Sequence, residues 1–166
     1  MRVRVVVLAA LLGGCVAGSE GPTGTGRPTD PEPGLVADLF AGPIDVPDHI
    51  RVDSILVMTV GVRNGGNRVA EAGWVVRVML SQDRLIDPAD IQIDQFAASR
   101  ALMAGGEDQY LRQKKLRGGI PTGPYYVGSI LDATGAVSEA SEANNTLQFP
   151  AEIILTEKAS DPPSGD

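Results

Sequence analysis

The feature that most constrains this chain is a pair of apolar runs joined by a turn, residues 54–83 (SILVMTVGVRNGGNRVAEAGWVVRVMLSQD). In the first run Leu56, Met58, Val60 and Val62 recur at every second position, the period at which a strand returns its side chains to one face. Ile55 and Val57 leave the other face partly apolar. Asn64-Gly65-Gly66-Asn67 then supplies turn chemistry. In the second run Trp74, Val76, Val78 and Leu80 alternate with Val75, Arg77, Met79 and Ser81, so residues 73–81 are expected to form the clearest half-buried strand of the chain. Two such strands cannot cover their own apolar faces. The rest of the chain must pack on them or extend them.

The remaining runs suit that role, being short and separated by turn residues. Residues 35–40 are a candidate first strand, broken by Pro43, Pro47 and Asp48. Residues 91–96 form a short strand with Ile91, Ile93 and Gln95 opposite Gln92, Asp94 and Phe96. Residues 107–116 (EDQYLRQKKL) have weak periodicity and a composition open to helix; their neighbours are strands, so an exposed strand is expected. There Lys114 and Lys115, with Arg112 and Arg117, read as protection of an edge. Residues 125–132 follow, and 146–155 close the set, with Pro150 marking an edge or bulge. Seven or so strands and no amphipathic helix predict an all-β fold, an immunoglobulin-like antiparallel β-sandwich over residues 35–155. About 120 residues suffice for one core.

Charge and chemistry narrow the function. The net charge is −7, with 14 basic against 21 acidic residues, which disfavours nucleic acid and anionic lipid as partners. One Cys and one His exclude an internal disulfide and a Cys/His metal cluster within one chain. There is no G-x-S-x-G, P-loop or H-E-x-x-H pattern, and a non-catalytic role is expected. A carboxylate-based hydrolase of envelope polysaccharide is the lesser alternative.

The N-terminus carries an address. Arg2 and Arg4 precede an apolar stretch at 5–12 that is too short to span a bilayer. Leu12-Gly13-Gly14-Cys15 follows and resembles the lipobox of bacterial lipoproteins. That resemblance implies a signal peptide at 1–14, a lipidated Cys15 and anchoring by two or more acyl chains. Val rather than Asp at position 16 implies the outer membrane over the inner. Residues 15–34, rich in Gly, Pro, Ser and Thr, are expected to be a disordered tether of ~25 Å r.m.s. span. Residues 156–166 are expected to be a disordered tail.

Within the folded region, Val62-Arg63-Asn64-Gly65-Gly66-Asn67, Trp74 to Asp83 (WVVRVMLSQD), Pro124-Tyr125-Tyr126-Val127-Gly128, Asp132 and Glu139 to Thr146 (EASEANNT) occur in that order. The series resembles the CARDB domain, the cell adhesion related domain found in bacteria, and covers about residues 52–149. The resemblance implies an immunoglobulin-like sandwich on a bacterial surface or secreted protein and no one ligand; the leading expectation is a module that binds an envelope protein or glycan. The resemblance also implies that Glu142, Asn144 and Asn145 fix the loop before the last strand. The turn here departs from the family pattern by its Asn-Gly-Gly order.

Asp83, Asp87 and Asp90 lie within eight residues and could converge on a hard cation such as Ca²⁺, with Asp94 as a fourth ligand. That makes a calcium-dependent adhesion module an alternative. The competing reading has the three aspartates capping turns through backbone N–H groups. Trp74 is expected in the core, and one of Tyr125 and Tyr126 with it. His49 is expected in a loop. In an immunoglobulin-like sandwich the loops at 64–72 and 133–145 share one end with the chain start. The 83–90 loop then lies at the other end.

Overall fold

The computed structural model describes residues 34–147 and 150–157. The expectations for the signal peptide, Cys15 and most of the tether and tail lie outside the described residues. The described residues form eight strands: β1 (Leu39–Asp45), β2 (His49–Arg51), β3 (Ile55–Asn64), β4 (Val75–Ser81), β5 (Ile91–Ala97), β6 (Glu107–Lys115), β7 (Gly123–Ile130) and β8 (Ala151–Thr156). They form a three-stranded sheet in the order β1-β3-β6 and a five-stranded sheet in the order β2-β8-β7-β4-β5. The fold is the predicted all-β sandwich.

The period-two faces meet in the core. Leu56, Met58, Val60 and Val62 from β3 are buried, as are Val76, Val78 and Leu80 from β4, with Trp74 just before it. Tyr125 and Val127 of β7 and Ile153 and Leu155 of β8 complete the layer, and Tyr126 lies on the other face. Ile55 and Val57 stay exposed. Burying one side of each strand removes apolar surface from water at ~25 cal/mol per Å², the term that holds two sheets together.

The structure departs from the sequence reading at several strands. The first strand begins at Leu39 and runs through Pro43, because the register shifts between Ala41 and Ile44 on this edge strand. At a bulge on an edge, proline's missing N–H costs nothing. The glycines there permit close approach: a Cβ on Gly42 would lie 2.8 Å from the Gly61 carbonyl carbon. His49 belongs to a strand, not a loop. β2 runs parallel to β8, so the sandwich is not wholly antiparallel. The last strand starts only after Pro150, while Thr146 makes a separate bridge to Ile130. Thr156, placed in the tail, ends β8.

A second bulge inverts a strand. Val78 pairs with Asp94 but Met79 pairs with Gln92, leaving Ile93 as the extra residue. Ile93 and Asp94 are therefore both buried, and Phe96 turns inward behind them. Met79 and Ser81, expected to face water, are buried too. The cause for Met79 is the 82–90 loop, which folds back over the outer face of the five-stranded sheet. Ile86, 3% exposed, sits against Gly128, the partner of Met79. A Cβ on Gly128 would meet Ile86 Cγ1 at 2.5 Å.

The ends are as expected. The Val36 amide donates to Asn67 Oδ1, and Ala37 forms a bridge to Glu139, so the 64–72 and 133–145 loops flank the chain start. Asp83 and Asp90 line a depression with Pro121 and Tyr125 at the opposite end.

Candidate functional site

Three clusters of polar side chains were singled out by the sequence or emerge from the fold. The first is the acidic loop. Asp83 Oδ1 accepts the Leu85 amide at 2.8 Å, and Asp87 Oδ1 accepts the Ala89 amide at 2.7 Å. Both are carboxylates capping the amide two residues on, the Asx-turn. Asp90 Oδ2 accepts the Asp87 amide at 2.8 Å. Each aspartate thus spends an oxygen on local backbone. Among the described residues no three His, Cys, Asp or Glu side chains gather as a metal-holding group. Asp94 leaves the loop entirely: the bulge turns it into the sandwich, so it is not a fourth ligand.

The second cluster holds the chain start to the last loop. Asn145, 5% exposed, donates both protons of its amide, to Glu139 Oε1 at 3.0 Å and Glu142 Oε2 at 2.9 Å. Glu139 Oε2 accepts the Leu39 amide at the start of β1. Asn144 Nδ2 donates to Asp38 Oδ1 at 2.9 Å, and the Asn144 backbone carbonyl accepts the Ala41 amide at 3.2 Å. Burial pushes the Glu139 carboxyl above its ordinary value; the bonds from Leu39 and Asn145 oppose this without cancelling it. Asp132 has φ 38, in the left-handed region. Its carboxylate holds that conformation by accepting the Ala136 and Val137 amides at 2.9 and 2.7 Å.

Sequence reasoning missed the fully buried Asn64 beside this cluster. Its Oδ1 accepts the Asp38 and Gly66 amides, and its Nδ2 donates to the Arg68 and Leu102 carbonyls. All four of its hydrogen-bonding positions are filled, which is what a buried amide requires. The signal was its place at the end of an apolar strand face, where Asn continues the phase of Val60 and Val62.

The third cluster closes the seam between β5 and β6, edge strands of different sheets. No backbone ladder joins them, so side chains do. The Asp94 side chain is fully buried; Arg112 Nε lies 2.9 Å from its Oδ2 and Lys114 Nζ 3.3 Å from its Oδ1. Burial alone would raise the Asp94 carboxyl, but the bonds from Arg112 and Lys114 outweigh it and hold it below its ordinary value. The Arg112 guanidinium also stacks 4.3 Å from the Phe96 ring centre, a cation–π contact. Phe96 and Tyr110 ring centres are 5.2 Å apart, and Tyr110 meets Trp74 edge-on at 6.5 Å. The basic patch read as edge protection is therefore partly a structural ion-pair set. The signal was Asp94 standing two positions before an inward aromatic, Phe96, interpretable only once the bulge is known.

No family model and no curated protein matches the sequence of this chain. Solved structures do match. A CARDB domain from Pyrococcus furiosus, solved in complex with di-metal ions, superposes with a TM-score of 0.53 at 19% identity, covering 73% of this chain and 90% of that one. A domain of a candidate cell surface protein from Methanosarcina acetivorans gives a TM-score of 0.55 at 20% identity, covering 74% of this chain and 94% of that one. The fold is that of a CARDB domain. The residues that carried the resemblance in sequence are the ones that fix this CARDB-like sandwich: Asn64 at the first turn, Gly128 under Ile86, and Glu139, Glu142, Asn144 and Asn145 at the chain start. The three loop aspartates each give one oxygen to a turn and are not gathered into a metal-holding group among the described residues.

Proposed function

We propose that this chain is a lipid-anchored, non-catalytic envelope module that binds a protein or glycan partner. The observation that carries the reading is the CARDB fold, shared with a domain of a candidate cell surface protein, behind a lipobox-like Leu12-Gly13-Gly14-Cys15. Acyl chains on Cys15 would anchor the chain, with Val16 favouring the outer membrane, and residues 15–34 would let the sandwich reach a partner. The carboxylates brought together by Asn145 hold the last loop and β1, a structural use that supports the non-catalytic reading. The calcium-dependent alternative is less favoured, because Asp83, Asp87 and Asp90 each cap a turn through local backbone.

The test is fractionation of cells producing the wild-type chain or Cys15→Ser. The wild-type chain is expected in the membrane fraction, extractable only by detergent, and the variant in the soluble fraction. Equal partition of the two would overturn the anchor. Binding of envelope glycan or protein by the soluble variant, absent from a heat-unfolded control, tests the module itself.

A further inference from the structure

β6 is an edge of its sheet, nine residues long, and pairs with β3 without interruption. Natural edges are usually shorter or bulged. The Leu116 amide donates to the Ser54 carbonyl and the Asn64 amide to the Gly106 carbonyl, both on the register that sets Ile55 opposite Lys115 and Arg63 opposite Glu107. Backbone polar groups alternate sides along a strand. The even-numbered residues from 106 to 116 therefore point theirs at β3, and Glu107, Gln109, Leu111, Gln113 and Lys115 point theirs at the open edge. All five are exposed, and Leu111, at the centre, is 68% exposed.

Read in the reverse direction about Leu111, this edge complements itself. Glu107 falls opposite Lys115, Gln109 opposite Gln113, and Leu111 opposite Leu111. The inward-facing positions follow the same rule, with Asp108 opposite Lys114 and Tyr110 opposite Arg112. We propose that β6 pairs antiparallel with β6 of a second copy, about a twofold axis through Leu111, joining two three-stranded sheets into one of six. The register matches open-edge groups with open-edge groups at every pair. Edge lysines ordinarily repel another edge, but here each basic end meets an acidic one. Such a symmetric contact, residue i on j and j on i, is the usual form of a homodimer.

The charges that would otherwise oppose pairing are already held within each copy. Asp94 binds Arg112 and Lys114, and Asp108 binds Arg100. Glu107 and Lys115 are left to set the register; Glu107 has only a 3.8 Å contact with Arg63, both side chains exposed. One local bond must exchange: the Gln109 amide now donates to its neighbour Asp108 at 2.7 Å. It would turn to the Gln113 carbonyl of the second copy.

The test uses the full chain carrying Cys15→Ser, which removes the only thiol and the lipid. Sedimentation equilibrium at rising concentration is expected to show a monomer–dimer equilibrium. Lys115→Glu sets like charges opposite each other at both ends and should weaken the dimer about tenfold. Adding Glu107→Lys to it should restore the affinity. Leu111→Cys in the same background should oxidise to a covalent dimer, since directly opposed Cα atoms lie ~5.5 Å apart. Gln109→Cys, displaced from its own copy along the ladder, should not. A chain that stays monomeric throughout, a dimer indifferent to Lys115→Glu, failure of the double exchange to restore it, or equal crosslinking of the two cysteine variants would each overturn the proposal. Thermal melts of every variant establish that the exposed substitutions leave the fold intact.

Discussion

The loops at residues 82–90 and 132–145 are both rich in acids, and both stand out in the sequence. They are built differently. In the first, the carboxylates of Asp83, Asp87 and Asp90 reach two or three residues along the chain, and the loop is seated by one apolar side chain, Ile86, against Gly128. In the second, Glu139 reaches the Leu39 amide and Asn144 reaches Asp38, each about a hundred residues away. The difference teaches that a count of acids does not define a site. A carboxylate that bonds its near neighbours shapes a turn, whereas one that bonds a distant strand fastens the fold.

The largest effect should come from Asn145→Ala. It removes both bonds to Glu139 and Glu142 and leaves the half-buried Glu139 carboxylate short of a donor beside the exposed Glu142, at a cost of about 2–4 kcal/mol. In a domain of this size the melting midpoint should fall by about 10 °C. A fall of only a degree or two would make the two loops equivalent.

Next is Ile86→Ala, which uncovers Met79 and Gly128 on the outer face. The expected cost is about 2 kcal/mol, at the low end for a buried apolar truncation because the loop can settle. It is read by chemical denaturation with an unchanged slope. No loss would mean that the local Asx-turns alone hold the acidic loop.

The third effect is a pH dependence with opposite signs in two places. Glu139 has its carboxyl raised above the ordinary 4.5, so the folded state holds that proton more tightly. Its contribution is full below the ordinary value and is lost as pH rises through the raised one. Glu139→Gln should flatten that slope. Asp94 is lowered from the ordinary 3.8, so its contribution is full above that value and is lost as pH falls through the depressed one. Asp94→Asn should flatten the acid limb instead. Melts at stepped pH separate the two.

The smallest effect should be that of Asp87→Ala, about 0.5–1 kcal/mol for one exposed turn bond. Excess calcium followed by chelator should leave the midpoint unmoved in wild type and variant alike. A calcium shift of several degrees that Asp87→Ala abolishes would turn the loop back into a metal site.

Much of this architecture could be read from the residues. The inward faces of β3 and β4 followed from period-two spacing, and Trp74 fell in the core as expected; in β7 the spacing left open which of Tyr125 and Tyr126 faces inward, and the structure buries Tyr125. The placement of β6 as a strand came from its neighbours, since its inward face of Asp108, Tyr110, Arg112 and Lys114 hides the apolar alternation that marks a strand. The bulge at Ile93 was illegible because only pairing with β4 shows which residue is extra. β2 was missed because three residues are too few for a period, and its pairing is with β8, a hundred residues later. In the candidate sites, the bonds of Asn145 were anticipated in kind, but their reach to β1 depends on packing that no local pattern encodes.

The most direct measurement is amide hydrogen exchange at Leu39, whose N–H is held by Glu139, compared between Asn145→Ala and Asp87→Ala. If the 132–145 loop fastens β1 and the 82–90 loop is self-contained, exchange at Leu39 should accelerate at least about tenfold in Asn145→Ala and stay at the wild-type rate in Asp87→Ala. Unchanged protection at Leu39 in Asn145→Ala, or equal loss in both variants, would contradict the account.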